Sequence, residues 1–445
     1  MKINKIFSIL ILCIGALIGS IVYLTSDVVP DQFIYLPTIV LSFLLLISGF
    51  IDNNSKKLSL ILVSVSTLRF LIMLWNVYGR EIYLLLGVGT DTEGFFRAAS
   101  MISMDLSLLS KRMYGSYYSK YLGIIYHFIG PSYLFGSYLN YLYSVFSVVI
   151  LYKVLGEFVF ISEKQKNQAT FIYGIAPLFM IIGSSLRRES LIILFTMLSQ
   201  LYIARWLRTS KLRYGFSALL FVLMGSVLHA GVIGLISGYI LMLLFYEPRE
   251  SRWRLRRNSA IVAVIIIAGI IIAFTQYKNV FLAKLLVADE ESFLKAANRA
   301  RGDSAYLTHL TVNSISDVIK NLPLKLFYFL CAPVPWDWRG ISDIIAFVLD
   351  SMVYIVAGLH GIRSISMVKK MPVLFALSIS ILMTITIFAI GSQNAGTAMR
   401  HRMKVLGPML IVMYLVKAYS SKEIGEREYS DKESSHFWRV EGRYE

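Results

Sequence analysis

The residues best suited to chemistry are two basic clusters and one acidic cluster, set in segments that are otherwise apolar. An Arg-Arg-Glu run occupies 187–189, and an Arg-His-Arg run occupies 400–402. Asp91 and Glu93 stand close together, with Arg97 four residues further on. Guanidinium groups present a fixed fork of donors that fits phosphate oxygens, so two arginine clusters on one face suit a diphosphate. A carboxylate can accept a proton, whereas two carboxylates alone are a weak signal for a divalent cation.

The composition places these clusters in a membrane protein. Of 445 residues, 56% are hydrophobic and only 16% are charged, against roughly 25% charged in soluble domains. This excludes a secreted enzyme and a nucleic-acid module, and two cysteines are too few for a disulfide scaffold. The chain has a net charge of +17, as expected for a membrane protein whose basic residues gather in cytoplasmic loops and fix its topology.

The hydropathy pattern predicts an all-α polytopic protein with about twelve transmembrane helices. The first stretch resembles a retained signal-anchor. Glycines interrupt 215–247, so that pair is either two short spans or a re-entrant hairpin. Residues 117–133 are apolar and are expected to dip into the membrane interface. The predicted spans are 6–24, 33–51, 58–78, 134–157, 169–186, 189–205, 215–229, 231–247, 258–276, 341–361, 371–390 and 404–419.

Basic residues gather on one side of these spans, which we therefore predict to be cytoplasmic, with both termini inside. Residues 1–419 would form the transmembrane domain and 420–445 a polar cytoplasmic tail. Two polar loops, at about 79–116 and 277–340, would lie on the opposite face. The second would form short amphipathic helices, a small lid on the membrane.

Every candidate cluster also has a structural interpretation. Asp91 or Thr92 could cap the helix that begins near Gly94. The arginines could anchor loops at lipid headgroups, and His229, at the apex of the hairpin, could be a packing histidine. However, basic clusters in short external loops run against the orientation rule, which favours a functional interpretation. The chain contains no Walker loop, HExxH, CxxC or GxSxG motif, and we predict no cofactor and no metal site.

Five short motifs, in this order, resemble bacterial polysaccharide repeat-unit polymerases of the Wzy type. The likeness covers about residues 85–419, and the last motif is the most specific. Asp303 departs from the pattern, because a small residue is usual there. The motifs are Asp91 with Gly94-Phe95-Phe96, Leu186-Arg187-Arg188-Glu189, Arg301-Gly302-x-Ser304-Ala305-Tyr306, Pro333-x-Pro335-Trp336, and the run from Asn394 to Arg402.

The resemblance implies a fold like that of the GT-C class of integral membrane glycosyltransferases. It also implies a polyprenyl-diphosphate-linked oligosaccharide donor, a growing surface polysaccharide as product, and an active site at the outer face of the bacterial cytoplasmic membrane. Expected partners are these substrates, membrane lipids and a chain-length regulator protein, with no nucleic acid.

From these motifs we assign roles as a hypothesis. Asp91 is the leading general base and Glu93 the second choice, with help from His401 or His229. The diphosphate would be neutralised by four arginines: Arg187, Arg188, Arg400 and Arg402. A flippase for the same lipid, or a transferase or ligase that adds a single unit, would use similar residues. The predicted catalytic residues are Asp91, Glu93 and His401, and the predicted substrate-binding residues are Arg97, Arg187, Arg188, Glu189, His229, Tyr306, Asn394, Arg400 and Arg402.

Overall fold

The computed structural model is mostly helical and describes residues 31–51, 55–85, 88–89, 91–254, 294, 297–298, 300 and 302–427. A two-stranded antiparallel hairpin pairs Tyr246 with Trp253 and Glu247 with Arg252. The elements are α1 Asp31–Ile51, α2 Lys56–Leu74, α3 Asp91–Met104, α4 Tyr117–Ile129, α5 Tyr133–Gly156, α6 Glu163–Ile175, α7 Pro177–Gly183, α8 Glu189–Thr209, α9 Leu212–Leu228, α10 Leu235–Phe245, β1 Tyr246–Glu247, β2 Arg252–Trp253, α11 Ile315–Cys331, α12 Ile341–Ala346, α13 Met352–Arg363, α14 Ile365–Lys370, α15 Pro372–Ile390 and α16 Ala395–Arg427.

An all-α membrane architecture is confirmed, but twelve spans are not. Within the described residues, six helices are long and apolar enough to cross a membrane. The predicted span at 169–186 is broken in two, because Pro177 separates α6 from α7. Three further apolar helices are shorter, and the predicted spans at 6–24 and 258–276 lie outside the described residues. The six are Lys56–Gly79, Tyr133–Gly156, Glu189–Thr209, Ile341–Arg363, Pro372–Ile390 and Ala395–Ser420.

The chain divides into two compact units, which are described separately below. The first unit contains Met1–Val149 and Thr170–Leu191. The second contains Ile150–Ala169 and Ile192–Glu445.

In the first unit, a buried side chain of α2 donates hydrogen bonds to backbone carbonyls of α6 and α7, on either side of the break between these helices. Arg69, fully buried, donates from Nε and Nη2 to the carbonyl of Gly174 and from Nη1 to that of Phe179. Its guanidinium also lies 4.1 Å from the Phe179 ring centroid. Pro177 has no N–H, so the helix ends there and leaves carbonyls that need other donors inside a membrane. Arg69 therefore supplies donors to backbone carbonyls on both sides of the break at Pro177.

In the second unit, α10 packs closely against α15 through its glycines. A Cβ at Gly238 would lie 1.9 Å from the carbonyl oxygen of Ala376, and one at Gly234 would lie 2.5 Å from the backbone nitrogen of Thr384. The Ser380 hydroxyl adds a hydrogen bond to the Leu235 carbonyl. Small residues permit such contacts between helices in membranes. The glycines thus allow the two helices to pack closely. The chain between α9 and α10 turns at His229.

The two predicted outer loops differ in organisation. The first contains α3, which packs against the following helix α4 through contacts such as Gly123 against Ile102. In the second, the described part holds α11, a helix of 17 residues, and a short 3-10 helix at Pro335–Asp337. Its other residues from 277 to 301 are mostly outside the described part of the chain.

Candidate functional site

Asp91, the first residue of α3, lies against Arg187 from the segment between α7 and α8. Arg187 Nη1 is 3.3 Å from Asp91 Oδ2. The side chain of Asp91 is 38% exposed, whereas that of Arg187 is only 2% exposed. The predicted approach of the Asp91 loop to the first arginine cluster is therefore present within the first unit. The buried cation sits beneath a carboxylate that solvent or a substrate can reach.

Gly89 allows this approach. Its φ of +55° is a left-handed conformation that glycine adopts without strain, and a Cβ here would lie 3.4 Å from Arg187 Nη2. The backbone before α3 therefore passes directly beside the guanidinium. A side chain at this position would crowd the fork that faces Asp91.

Tyr114 is a partner of Asp91 that the sequence did not reveal. Its hydroxyl donates to Asp91 Oδ1 at 2.6 Å, so each carboxylate oxygen has one donor. Partial burial, followed by this hydrogen bond, raises the pKa of Tyr114 to about 12, while the nearby charges of Arg187 and Arg188 oppose the shift. The phenol therefore stays protonated near neutral pH and remains a donor. Gly94 leaves room for the ring, because a Cβ there would lie 2.6 Å from Tyr114 Cε1.

The other predicted residues of the first unit have distinct surroundings. Glu93 forms an ion pair with Arg80 at 2.6 Å, and Arg80 also donates to the Tyr133 hydroxyl. Arg97 is exposed on α3. Glu189 is buried at the first residue of α8, where a negative charge complements the helix dipole. Glu93 is thus held by a cation that the sequence analysis did not single out.

In the second unit, the structure brings three of the resemblance motifs together. Tyr306 N–H donates to the Gln393 carbonyl at 3.1 Å, and Ala395 N–H donates to the Ser304 carbonyl at 2.8 Å. The buried Tyr306 hydroxyl donates to the Ser392 carbonyl, and burial raises the pKa of this phenol. A small cavity of about 30 Å³ is lined by residues that include Tyr306, Pro333 and Ala395. Arg301 lies outside the described residues.

Asn394 and Arg400 both serve the start of α16. Asn394 Oδ1 accepts from the backbone N–H of Thr397 at 3.0 Å, which is an N-cap contact. Arg400 is partly buried and donates from Nε to the Gly396 carbonyl and from Nη2 to the Thr397 hydroxyl. These contacts hold the Arg400 guanidinium along the first turn of the helix.

His229 and His401, predicted to act together, are in ring contact. Their centroids are 4.4 Å apart, and both rings pack on Phe388. Lys404, which is buried and was not singled out from the sequence, lies with Nζ 2.8 Å from His401 Nδ1. A protonated Lys404 would donate to Nδ1 and leave the ring proton of His401 on Nε2.

The surroundings of Arg402 do not fit its predicted role as a diphosphate ligand. Arg402 is fully buried and pairs with Asp350, with Nε 2.6 Å from Oδ2. Nη1 donates to the carbonyls of Phe329, Leu330 and Ala332, and Nη2 donates to the Ser351 hydroxyl. The guanidinium thus supplies hydrogen bonds to the carbonyls at the C-terminal end of α11, which have no partner within the helix. With these donors engaged inside the protein, we withdraw Arg402 from the predicted diphosphate ligands.

Within the part of the chain that the structure describes, no group of three or more His, Cys, Asp or Glu side chains is arranged to hold a metal ion. No family model, curated protein or solved structure matches this chain. Function must therefore be argued from the geometry and chemistry of the residues themselves.

Proposed function

We propose that the protein is a membrane glycosyltransferase that polymerises polyprenyl-diphosphate-linked oligosaccharide repeat units into a bacterial surface polysaccharide. The observation that carries the proposal is the accessible carboxylate of Asp91 beside the buried guanidinium of Arg187. Glycosyl transfer from a lipid diphosphate needs one group that takes a proton and another that neutralises the departing phosphate. This pair offers both chemistries at adjacent positions.

In the proposed reaction, the acceptor hydroxyl gives its proton to Asp91 while its oxygen attacks the anomeric carbon of the donor sugar. The bond from that carbon to the diphosphate oxygen breaks, and the electron pair leaves with the polyprenyl diphosphate. Direct attack of this kind inverts the anomeric centre. General-base assistance typically contributes ~10²–10⁴ in rate.

Arg187 and Arg188 of the first unit neutralise the charge that grows on the diphosphate. A well-placed charge stabiliser typically contributes ~10²–10³ in rate. Arg187 suits this role because its side chain is buried and its guanidinium is held in place by Asp91. Less side-chain freedom is then lost when the substrate binds.

His401 acts in this proposal as a hydrogen-bond donor to the substrate and not as an aid to the general base. With Nδ1 engaged by Lys404, its Nε2–H can donate to a phosphate or sugar oxygen. His229 packs beside it and would fix the orientation of the ring. Asp91 remains the proposed base, because it is the carboxylate that lies beside Arg187, the proposed diphosphate ligand, whereas Glu93 pairs with Arg80.

The proposal includes a GT-C-like arrangement, both termini in the cytoplasm and a site at the outer face of the cytoplasmic membrane. These elements follow from the resemblance and from the charge distribution along the sequence. A site that opens between spans would accept the polyprenyl chain laterally from the bilayer.

The test is complementation of a strain that lacks the gene. The account predicts that unpolymerised repeat units accumulate on the outer face and that wild-type protein restores long polymer. Asp91→Asn should not restore it, although the protein reaches the membrane at normal abundance. Asp105→Asn, an exposed carboxylate in the same loop, is the matched control and should complement. Accumulation inside the cell would instead indicate a flippase, and full complementation by Asp91→Asn would remove the proposed base.

A further inference from the structure

An apolar groove lies at the end of the second unit where α10 leads into the hairpin. It is a shallow, open groove with a volume of about 420 Å³, and it is lined by Leu241, Phe245, Trp253, Arg254 and Phe375. This volume falls within the range of about 300–1,000 Å³ that is usual for small-molecule sites. Three lining aromatic residues remain about two-fifths exposed: Phe245 at 41%, Trp253 at 42% and Phe375 at 39%.

The rim of this groove is basic. Glu250 accepts from Arg252 Nε at 2.6 Å and from Arg254 Nη1 at 3.2 Å, so one carboxylate holds both guanidinium groups together. Residues 246–254 carry three arginines against two glutamates, and Glu247 lies opposite Arg252 in the hairpin. The rim therefore keeps a positive charge after the internal pairs are formed.

A second basic segment reaches the same end of the unit. Lys369 and Lys370 are exposed and end α14, immediately before α15 begins. Phe375, which lines the groove, is in the first turn of α15. The hairpin and the α14–α15 junction together present cations around an apolar floor.

We propose that this groove binds one anionic phospholipid. An acyl chain covers the aromatic floor, and the headgroup phosphate lies at the rim beside Arg252 and Arg254. Clusters of basic residues next to a membrane helix attract anionic lipids, and tryptophan favours the boundary between acyl chains and headgroups. A soluble anion would leave the aromatic floor exposed, and an uncharged lipid would leave the rim without a counter-charge. The combination selects a ligand with both an acyl chain and a negative headgroup.

This lipid site is independent of the proposed catalysis. It uses different residues, and Asp91→Asn should leave it unchanged. The ligand is defined by its chemistry, so phosphatidylglycerol and phosphatidylcholine with identical acyl chains are suitable probes.

The experiment is native mass spectrometry of the full chain in mild detergent, with each lipid added in turn. Wild-type protein should retain one phosphatidylglycerol in clear preference to phosphatidylcholine. Arg252→Gln with Arg254→Gln should lose the preference, by about five-fold for each arginine removed, the equivalent of ~1 kcal/mol each. Phe375→Ala should weaken binding of both lipids. Arg363→Gln removes an exposed arginine of α13 that is not part of the groove lining and should bind as wild type does.

Three results would overturn the proposal. Equal retention of both lipids by the wild type, or no retention of either, would show that the groove has no anionic-lipid site. An effect of Arg363→Gln as large as that of the double variant would show a general response to positive charge. The glutamine substitutions are on exposed residues, so loss of folding should not obscure the comparison.

Discussion

Arg187 Nη1 lies 3.3 Å from Asp91 Oδ2, joining residues 96 positions apart in the sequence. The pair combines a buried cation with an accessible anion. The exposed side of the carboxylate can meet a substrate hydroxyl while the guanidinium holds it from behind. This relationship generates the first two predictions below.

Replacing Arg187 by lysine should reduce polymer formation ~10²–10³-fold, because lysine keeps the charge but cannot present a planar fork. The measurement is the rate of polymer formation in membranes with equal amounts of protein. Arg112→Lys, at an exposed position of the same outer loop, is the control and should have little effect on the rate. Wild-type rates from Arg187→Lys would contradict the assignment of this arginine to the diphosphate.

Replacing Tyr114 by phenylalanine removes the donor to Asp91 Oδ1 while keeping the ring. Because this bond orients the proposed base, and general-base assistance typically contributes ~10²–10⁴ in rate, the rate of polymer formation should fall by up to that factor. A Phe variant with the rate of the wild type would show that Tyr114 does not position the carboxylate.

The same tyrosine leads to a prediction about pH. Burial and the hydrogen bond to Asp91 raise the pKa of Tyr114 from 10.0 to about 12. A raised pKa favours the protonated form in the folded state, so this contribution is complete below pH 10 and is lost as the pH rises through 12. The rate profile between pH 7 and 9 should therefore have no inflection that Tyr114→Phe removes. An inflection in that range that disappears in the variant would contradict the assigned shift.

The buried Arg402–Asp350 pair should matter for stability. Removing one partner of a buried pair typically costs ~3–5 kcal/mol, because the other charge is left uncompensated. Asp350→Asn or Arg402→Met should thus lower the thermal unfolding temperature of the purified protein sharply. Combining them should cost less than the sum of the single effects. Additive losses, or full stability with loss of activity alone, would argue against this structural role.

Arg69→Met should also destabilise the fold, through the carbonyls of Gly174 and Phe179. Each carbonyl left without a donor costs roughly 1–3 kcal/mol. Lys57→Met, an exposed position on the same helix, provides the control for loss of a positive charge. A thermal unfolding temperature that is the same in both variants would show that the break at Pro177 does not depend on Arg69.

Periodicity and composition were sufficient to predict an all-α membrane protein, because the apolar stretches have the length that a bilayer demands. They could not distinguish a span from a broken segment such as α6–α7, where one proline and a distant arginine decide the outcome. The approach of Asp91 to Arg187 was expected from their common side of the membrane. Tyr114, Lys404 and the Arg402–Asp350 pair were not, since their roles arise from packing between segments far apart in sequence.

The most direct test of the central claim is polymerisation by the purified protein in lipid vesicles, supplied only with lipid-linked repeat units extracted from the host strain. The account predicts a ladder of products that differ by one repeat unit, formed by the wild type and by Asp105→Asn but absent with Asp91→Asn. A single added unit, no product from the wild type, or the same ladder from Asp91→Asn would contradict it.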